Sequence, residues 1–385
     1  MKKGLLLAGA VFSLGVLAGS ANAVTIRIDE EQVLKFGARG IIDAIIKDDR
    51  GIVDGNEDKS DIVFTHRDAR IYFKYKLNKI ISYGFQASLF APGKAGDIEV
   101  FDSFINLAFA PEFNIIAGSY KVPFERHSGL QSYWTYLFPT WLGMSAIAGY
   151  KHAFTNPVAN DHKPFRSGSR SAGLTAWGNI ADGMFKYYVG VFDASDEGAT
   201  SNAKTAYSIR VQFTPTMLGY KAEKGYVLKN TYVGKKDVLT IGLSYTSQPF
   251  GEGAKDQDSW GVDLMWEQKF GTIVPDIQIG YVKHTNWAGT DGDDRTGWLV
   301  QGQLLYDQKV FLGKPALAAR YVQTEFDRPG SDPKLKSFGV AINYYIKGPT
   351  NRIALWVENV KLDNVNLTEE EDSYTDVGLS VFYNF

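Results

Sequence analysis

Hydrophobic and polar residues alternate along most of this chain, and most clearly at its end. In 374–385, Val377, Leu379, Val381, Tyr383 and Phe385 share one face, and Asp376, Gly378, Ser380 and Asn384 the other. Phe382 is the one apolar residue on the polar side. Period-two alternation predicts a strand with one apolar face. The same dyad recurs upstream. Trp260, Val262, Leu264 and Trp266 alternate with Gly261, Asp263, Met265 and Glu267; Phe338, Val340, Ile342, Tyr344 and Ile346 with Gly339, Ala341, Asn343 and Tyr345. Tyr207, Ile209, Val211 and Phe213 stand against Ser208, Arg210 and Gln212.

Strand-like segments fall at 33–46, 62–77, 80–90, 99–110, 113–121, 170–180, 184–194, 204–214, 237–247, 257–270, 273–285, 295–308, 314–326, 334–347, 350–363 and 373–385. That is about sixteen, and an even count returns both ends to one side. The connections after odd-numbered segments are mostly long and polar, such as 47–61, 122–169 and 364–372. Those after even-numbered segments are mostly tight, such as Asn78-Lys79, Pro111-Glu112, Gly271-Thr272 and Gly348-Pro349. Long loops on one side and short turns on the other predict an all-β, antiparallel, up-and-down transmembrane barrel. The stretch 214–236 breaks the rule, being long where a short turn belongs. A soluble sandwich also alternates, but it seldom sustains sixteen strands.

The two ends agree with a membrane barrel. Lys2 and Lys3, the apolar 4–19 and the Ala21-Asn22-Ala23 site predict a signal peptide over 1–23, leaving the barrel as 24–385. A free edge ending in Val, Tyr and Phe is an aggregation hazard in a soluble protein, whereas in a closed barrel it is the seam with the first strand. The terminal Phe385 resembles the C-terminal signature of bacterial outer-membrane barrels, which implies recognition by the barrel-assembly machinery. Beyond residue 23 no apolar run is long enough for a helical span. Aromatics make up 14% and glycines number 39, which suits a barrel with interfacial girdles.

Cysteine is absent, so disulfides and thiolate sites are excluded. Loss of Lys2 and Lys3 takes Lys+Arg from 41 to 39 against 43 acids, a net charge of −4 that argues against a nucleic-acid partner. There is no HExxH, G-x-S-x-G or phosphate-cradling loop, and the histidines lack metal-ligand spacing, so the chain reads as no enzyme, with no cofactor and no metal. Asp54, Asn56 and Asp58 mimic the start of a calcium loop, but Lys59 stands where its glycine belongs. These acidic outer loops suit contact with lipopolysaccharide through divalent cations.

Sixteen strands leave an aqueous channel. The longest connection, 122–169, is expected to fold inward and narrow it. Across 121–170 the chain is basic, with Lys121, Arg126, Lys151, Lys163, Arg166 and Arg170 against Glu125 and Asp161. Lys and Arg at a constriction favour anions, so these six are the candidate selectivity residues. Strand parity adds Arg70, Lys74, Arg210 and Arg320 as lumen cations, because Arg or Lys on the lipid face costs about 2–4 kcal/mol.

Gly118-Ser119-Tyr120-Lys121-Val122-Pro123-Phe124 resembles the G-x-[FY]-K-x-P-F segment before the long loop in phosphate-selective porins of the O and P type. Arg170-Ser171-Ala172-Gly173-Leu174 with Lys186-Tyr187-Tyr188-Val189-Gly190-Val191-Phe192 is similar to that family's next hairpin. Tyr232-Val233-Gly234-Lys235-Lys236-Asp237-Val238-Leu239 resembles a stretch entering a later strand, which makes the long 214–236 turn a family feature. The start, 1–44, is also similar to porins encoded beside selenite and tellurite reduction enzymes. The resemblance implies a sixteen-stranded barrel, commonly a homotrimer, with an inward loop and anion preference. Lys121 matches the motif lysine, while Glu125-Arg126 departs from the pattern where a glycine is expected. Phosphate specificity is therefore not carried over.

These readings converge on a multi-pass barrel of the bacterial outer membrane, in contact with its lipid, that passes small anions, oxyanions among them. The alternative is a scaffold sheathing a partner such as a multihaem cytochrome.

Overall fold

The computed structural model describes residues 23–48, 62–89, 98–147, 149–158, 170–193, 205–250, 253–328, 330–365 and 372–385. Its barrel strands are β2 (Val33–Ile46), β3 (Ile62–Lys76), β4 (Ile81–Ser88), β5 (Glu99–Ala110), β6 (Phe113–Lys121), β9 (Arg170–Ile180), β10 (Phe185–Asp193) and β11 (Thr205–Phe213). The wall continues through β12 (Val238–Gln248), β13 (Gln257–Glu267), β14 (Ile273–Thr285), β15 (Asp294–Tyr306), β16 (Lys314–Asp327), β17 (Lys334–Lys347), β18 (Asn351–Asp363) and β19 (Ser373–Asn384). The short β1 (Val24–Arg27) folds back on the start of β2, and β7 (Ala146–Ile147) with β8 (Tyr150–Lys151) forms a small hairpin inside the long loop. Sixteen strands thus close an antiparallel barrel, and each segment read from the sequence is one of them.

The seam is where the terminal alternation requires it. β19 pairs antiparallel with β2, from Val377 opposite Ile46 to Asn384 opposite Arg39. The Phe385 N–H donates to Ala38 O at 2.9 Å, and the Ala38 N–H returns a bond to Phe385 O at 2.8 Å. No edge is left unpaired there, which removes the hazard of an exposed terminal strand. Gly37 makes the closure possible, since a Cβ there would lie 2.2 Å from Phe385 O.

The faces are inverted relative to a soluble protein. On β11, Tyr207, Ile209 and Val211 are 54%, 48% and 49% exposed, while Ser208, Arg210 and Gln212 are at most 3% exposed. Such a continuous apolar exterior needs lipid to cover it. Aromatic side chains band the exterior at both ends. Toward the loop end, Trp260 and Tyr281 lie 4.9 Å apart and Tyr281 and Trp298 4.4 Å. Toward the turn end, Phe185 meets Phe213 at 5.3 Å, and Tyr383 meets Phe385 at 6.2 Å. Tight turns end the hairpins there; the Asn78 carboxamide oxygen accepts from Ile80 N and Ile81 N at 2.9 and 2.7 Å.

The apolar core lies inside the barrel but off its axis. Phe124, Leu142, Ala153 and Phe154 of the long loop pack on Val282, Leu299 and Val322 of the inner wall. Leu137 and Phe138 pack on Ala318, Ala341 and Trp356. These wall residues are apolar on the face that alternation makes polar, and the loop is what covers them. Phe382 belongs to the same group, inward and buried with Ile41 and Trp134.

Candidate pore and its constriction

Two segments enter the lumen from opposite ends. The long loop enters from the loop end, and its described parts, 122–147 and 149–158, lie against the inner wall from β11 to β18. The 214–237 connection is a real excursion and enters from the turn end.

The motif preceding the loop explains its own glycine. Gly118 has φ of 122°, and a Cβ there would lie 2.3 Å from Ser103 O. Beyond it Ser119, Tyr120 and Lys121 are buried in succession, so simple alternation ends there. Pro123 O then accepts from Ser208 Oγ at 2.6 Å.

The loop is seated by ion pairs and by glycines. Arg126 has no solvent exposure; its guanidinium pairs with Glu223 and Asp263 and donates to Lys229 O at 2.8 Å and Thr240 Oγ1 at 2.9 Å. Arg210 holds Asp263 at 2.5 Å from below, so one carboxylate serves two arginines. Arg320 donates to Thr140 O at 2.7 Å and to Glu358 at 2.7 Å, and Glu358 accepts from Ser145 at 3.0 Å. Where the loop crosses the wall, Gly261, Gly280 and Gly297 leave space for Glu125, His127 and Phe154; a Cβ on Gly280 would lie 2.9 Å from all three side chains. A glycine on the inward position of successive strands was a signal available in the sequence.

The excursion meets the loop in mid-lumen. Ser132 N donates to Leu228 O at 2.8 Å and Asn230 N to Thr135 Oγ1 at 2.9 Å, and Gln131 and Leu228 form a parallel bridge. Tyr226 OH donates to Lys121 O at 2.8 Å, and Lys186 Nζ to Glu223 O at 2.6 Å. Burial opposes the charge on Glu223, but the Arg126 guanidinium more than offsets it and holds the carboxyl down to about 2. Burial takes His152 the other way, down to about 3, so it is a neutral partner of Thr324 and Ser337. Together the two segments fill the half of the lumen against β10–β18.

The other half is open. A cavity of about 1730 Å³ runs between the wall of β2–β6 and the near side of the two segments. Twelve Lys or Arg and three Asp line it among the described residues, which makes its charge strongly positive. Each of the three acids is already engaged: Asp43 with Arg67, Asp68 with Arg70 and Asp102 with Arg170. Like charges also stand directly opposite one another across the strands, as Lys35 and Lys74, Arg39 and Arg70, and Lys121 and Arg170. Directly opposed like charges destabilise a sheet. The side facing them carries Tyr133, Trp134, Tyr136 and Trp141 of the loop and, among the described residues, no carboxylate.

The structure therefore divides the cations singled out in the sequence. Lys121, Arg170, Arg70, Lys74 and Lys151 line the cavity. Lys121 Nζ donates to Gly129 O and, at 3.1 Å, to Gln131 O. Arg126, Arg210 and Arg320 face inward but are sealed in loop contacts away from the open lumen. Lys163 and Arg166 lie outside the described residues. Arg39 and Lys35, which sequence parity did not single out, line the cavity on β2. Phe385 lies on the outward face, 42% exposed. No group of three or more His, Asp or Glu among the described residues could hold a metal ion.

Fold and site together define a sixteen-stranded barrel of the outer-membrane type, with a lumen half filled by its own chain. No protein-family model matches the chain, and no curated protein matches it in sequence. Solved structures match in fold. OmpF of Salmonella typhi, in complex with daunomycin, is 13% identical with a TM-score of 0.57, over 94% of this chain and 100% of that one. The outer-membrane channel DcaP of Acinetobacter baumannii is 12% identical with a TM-score of 0.56, over 93% and 99%. An anion-selective porin from Comamonas acidovorans is 12% identical with a TM-score of 0.54, over 91% and 99%.

Proposed function

We propose that this protein is an outer-membrane porin that passes small anions by diffusion. The observation that carries the reading is the open half-lumen, where cations outnumber acids and, among the described residues, every lining acid is engaged by an arginine. Lys35, Arg39 and Lys74 have no ion-pair partner among the described residues. Two unit charges about 5 Å apart repel by about 3 kcal/mol at an effective dielectric of about 20, and a passing anion relieves that repulsion. Selectivity on this reading resides in the β2–β3 wall with Lys121 and Arg170. The loop supplies the opposing surface, and its Arg126 is an anchor. The fold's likeness to a porin that is anion-selective agrees with this. A lumen half filled by its own chain favours a small solute over the sheathed cytochrome.

The test is the reversal potential of the purified barrel in a planar bilayer under a potassium chloride gradient. The wild type is expected to prefer chloride. Changing Lys35, Arg39 and Lys74 together to Gln should move the potential most of the way to zero. A cation-preferring wild type, or a triple variant with an unchanged potential, overturns the assignment.

A further inference from the structure

We propose that the constriction is a station for aromatic carboxylates, a class within the anions assigned to the pore above, on which this inference rests. Two donors beside the cavity are left unused by the described residues. Arg39 Nε and Trp134 Nε1 are both buried and have no hydrogen-bond partner among the described residues, although both residues line the cavity. The Arg39 guanidinium lies 4.8 Å from the Trp134 ring and 5.3 Å from the Tyr72 ring. Those faces fix its plane without consuming its hydrogens. A guanidinium so held presents a fork that a planar carboxylate matches with two parallel bonds.

The second observation is the surface beside that fork. Tyr133 packs on Trp134 at 4.9 Å, on Tyr136 at 5.8 Å and on Trp141 at 6.3 Å, which gives one aromatic cluster along the cavity. Trp141 is 38% exposed although it is large and apolar. A loop serving only as a spacer in an ion channel has no need of open rings at the narrowing. A cationic wall opposite an aromatic wall fits a solute with a carboxylate at one end and a flat ring at the other. The carboxylate meets Arg39, and the ring lies against Tyr136 and Trp141. An inorganic oxyanion would use the first wall and leave the second idle.

Single-channel current in chloride is measured while benzoate, acetate or inorganic phosphate is added. Benzoate and acetate carry the same charge, so the ring alone separates them. Two ring contacts should lower the half-blocking concentration of benzoate about tenfold below that of acetate. In the Tyr136→Leu, Trp141→Leu double variant, benzoate should fall back to the acetate value. Trp134→Phe keeps the ring and removes the N–H, and should weaken block by both carboxylates together. Lys255→Gln, on a remote outer loop, should change nothing. If benzoate and acetate block alike, or phosphate blocks best, in a pore that still prefers chloride, this inference fails and the anion pore stands. If the wild type shows no anion preference, both fail.

Discussion

Arg126 and Arg39 are both inward arginines, yet one is sealed between Glu223 and Asp263 and the other has no ion-pair partner among the described residues. Burial separates their roles. A sealed arginine is worth most when its partners stay charged, because removing one member of a buried pair typically costs about 3–5 kcal/mol. Arg126→Gln is therefore expected to unlatch the loop from the 214–237 excursion and raise current noise and mean conductance, more than it shifts the reversal potential. Recordings of both quantities on one preparation check the split. The same latch gives a pH dependence. The Glu223 carboxyl is held below its ordinary value, so its contribution is present above that value and is lost as pH falls through about 2. Channel noise at pH 4 should match that at pH 7 and rise only in the approach to pH 2. A rise beginning near pH 5 would mean that Arg126 does not hold Glu223.

At the scale of elements, inward glycines decide where segments can lie. Gly280 on β14 is in contact range of Glu125, His127 and Phe154, and Gly339 on β17 has the Phe138 ring at 2.3 Å from its Cβ position. Overpacking of this kind typically costs about 1–3 kcal/mol. Gly280→Val should lift the loop from its seat and make 122–158 more susceptible to protease in the detergent-solubilised barrel, with the rest of the barrel intact. The seam has a counterpart in Gly37, whose obstruction is the backbone of Phe385 and therefore cannot swing away. Gly37→Val, or removal of Phe385, should reduce the yield of assembled barrel, seen as lost heat-modifiable mobility on gels, more than it alters the conductance of barrels that do form. Normal assembly of both variants would show that the terminal pairing is dispensable.

At the scale of the whole molecule, charge is sorted by position. The chain carries a formal net charge of −2, yet the open lumen is basic. Acids gather instead in the sequence stretches 48–61 and 369–372 between strands. Topology sets which end meets the medium. A protease site inserted at Gly55 or Gly292 should be cut on intact cells, and one at Asn78-Lys79 or Gly219 should be protected. Gly219 belongs to the excursion, so this arrangement also fixes the end from which that segment enters. Cleavage of the second pair alone would invert the barrel.

The sequence by itself determined the barrel: sixteen alternating segments, their hairpin order, the closing of the last on the first, and a polar interior. Each of these follows from local periodicity, because side chains alternate strictly along a strand and lipid admits one kind of face. Phe382, the single apolar residue on a polar face, and the long stretch at 214–236 were visible departures, and each marks a place where something enters the lumen. What those segments touch was left to the tertiary structure. Parity puts Arg70, Arg210 and Arg320 on the same inner face, but it cannot tell an arginine facing water from one facing a loop. That depends on which half of the barrel the loop covers, and the choice is made by contacts between residues far apart in the chain. Arg126 meets Glu223 and Asp263 across 97 and 137 positions. Packing against the glycines of β13–β15 left the β2–β6 wall uncovered, and so left Arg39, Lys35 and Lys74 facing the open lumen.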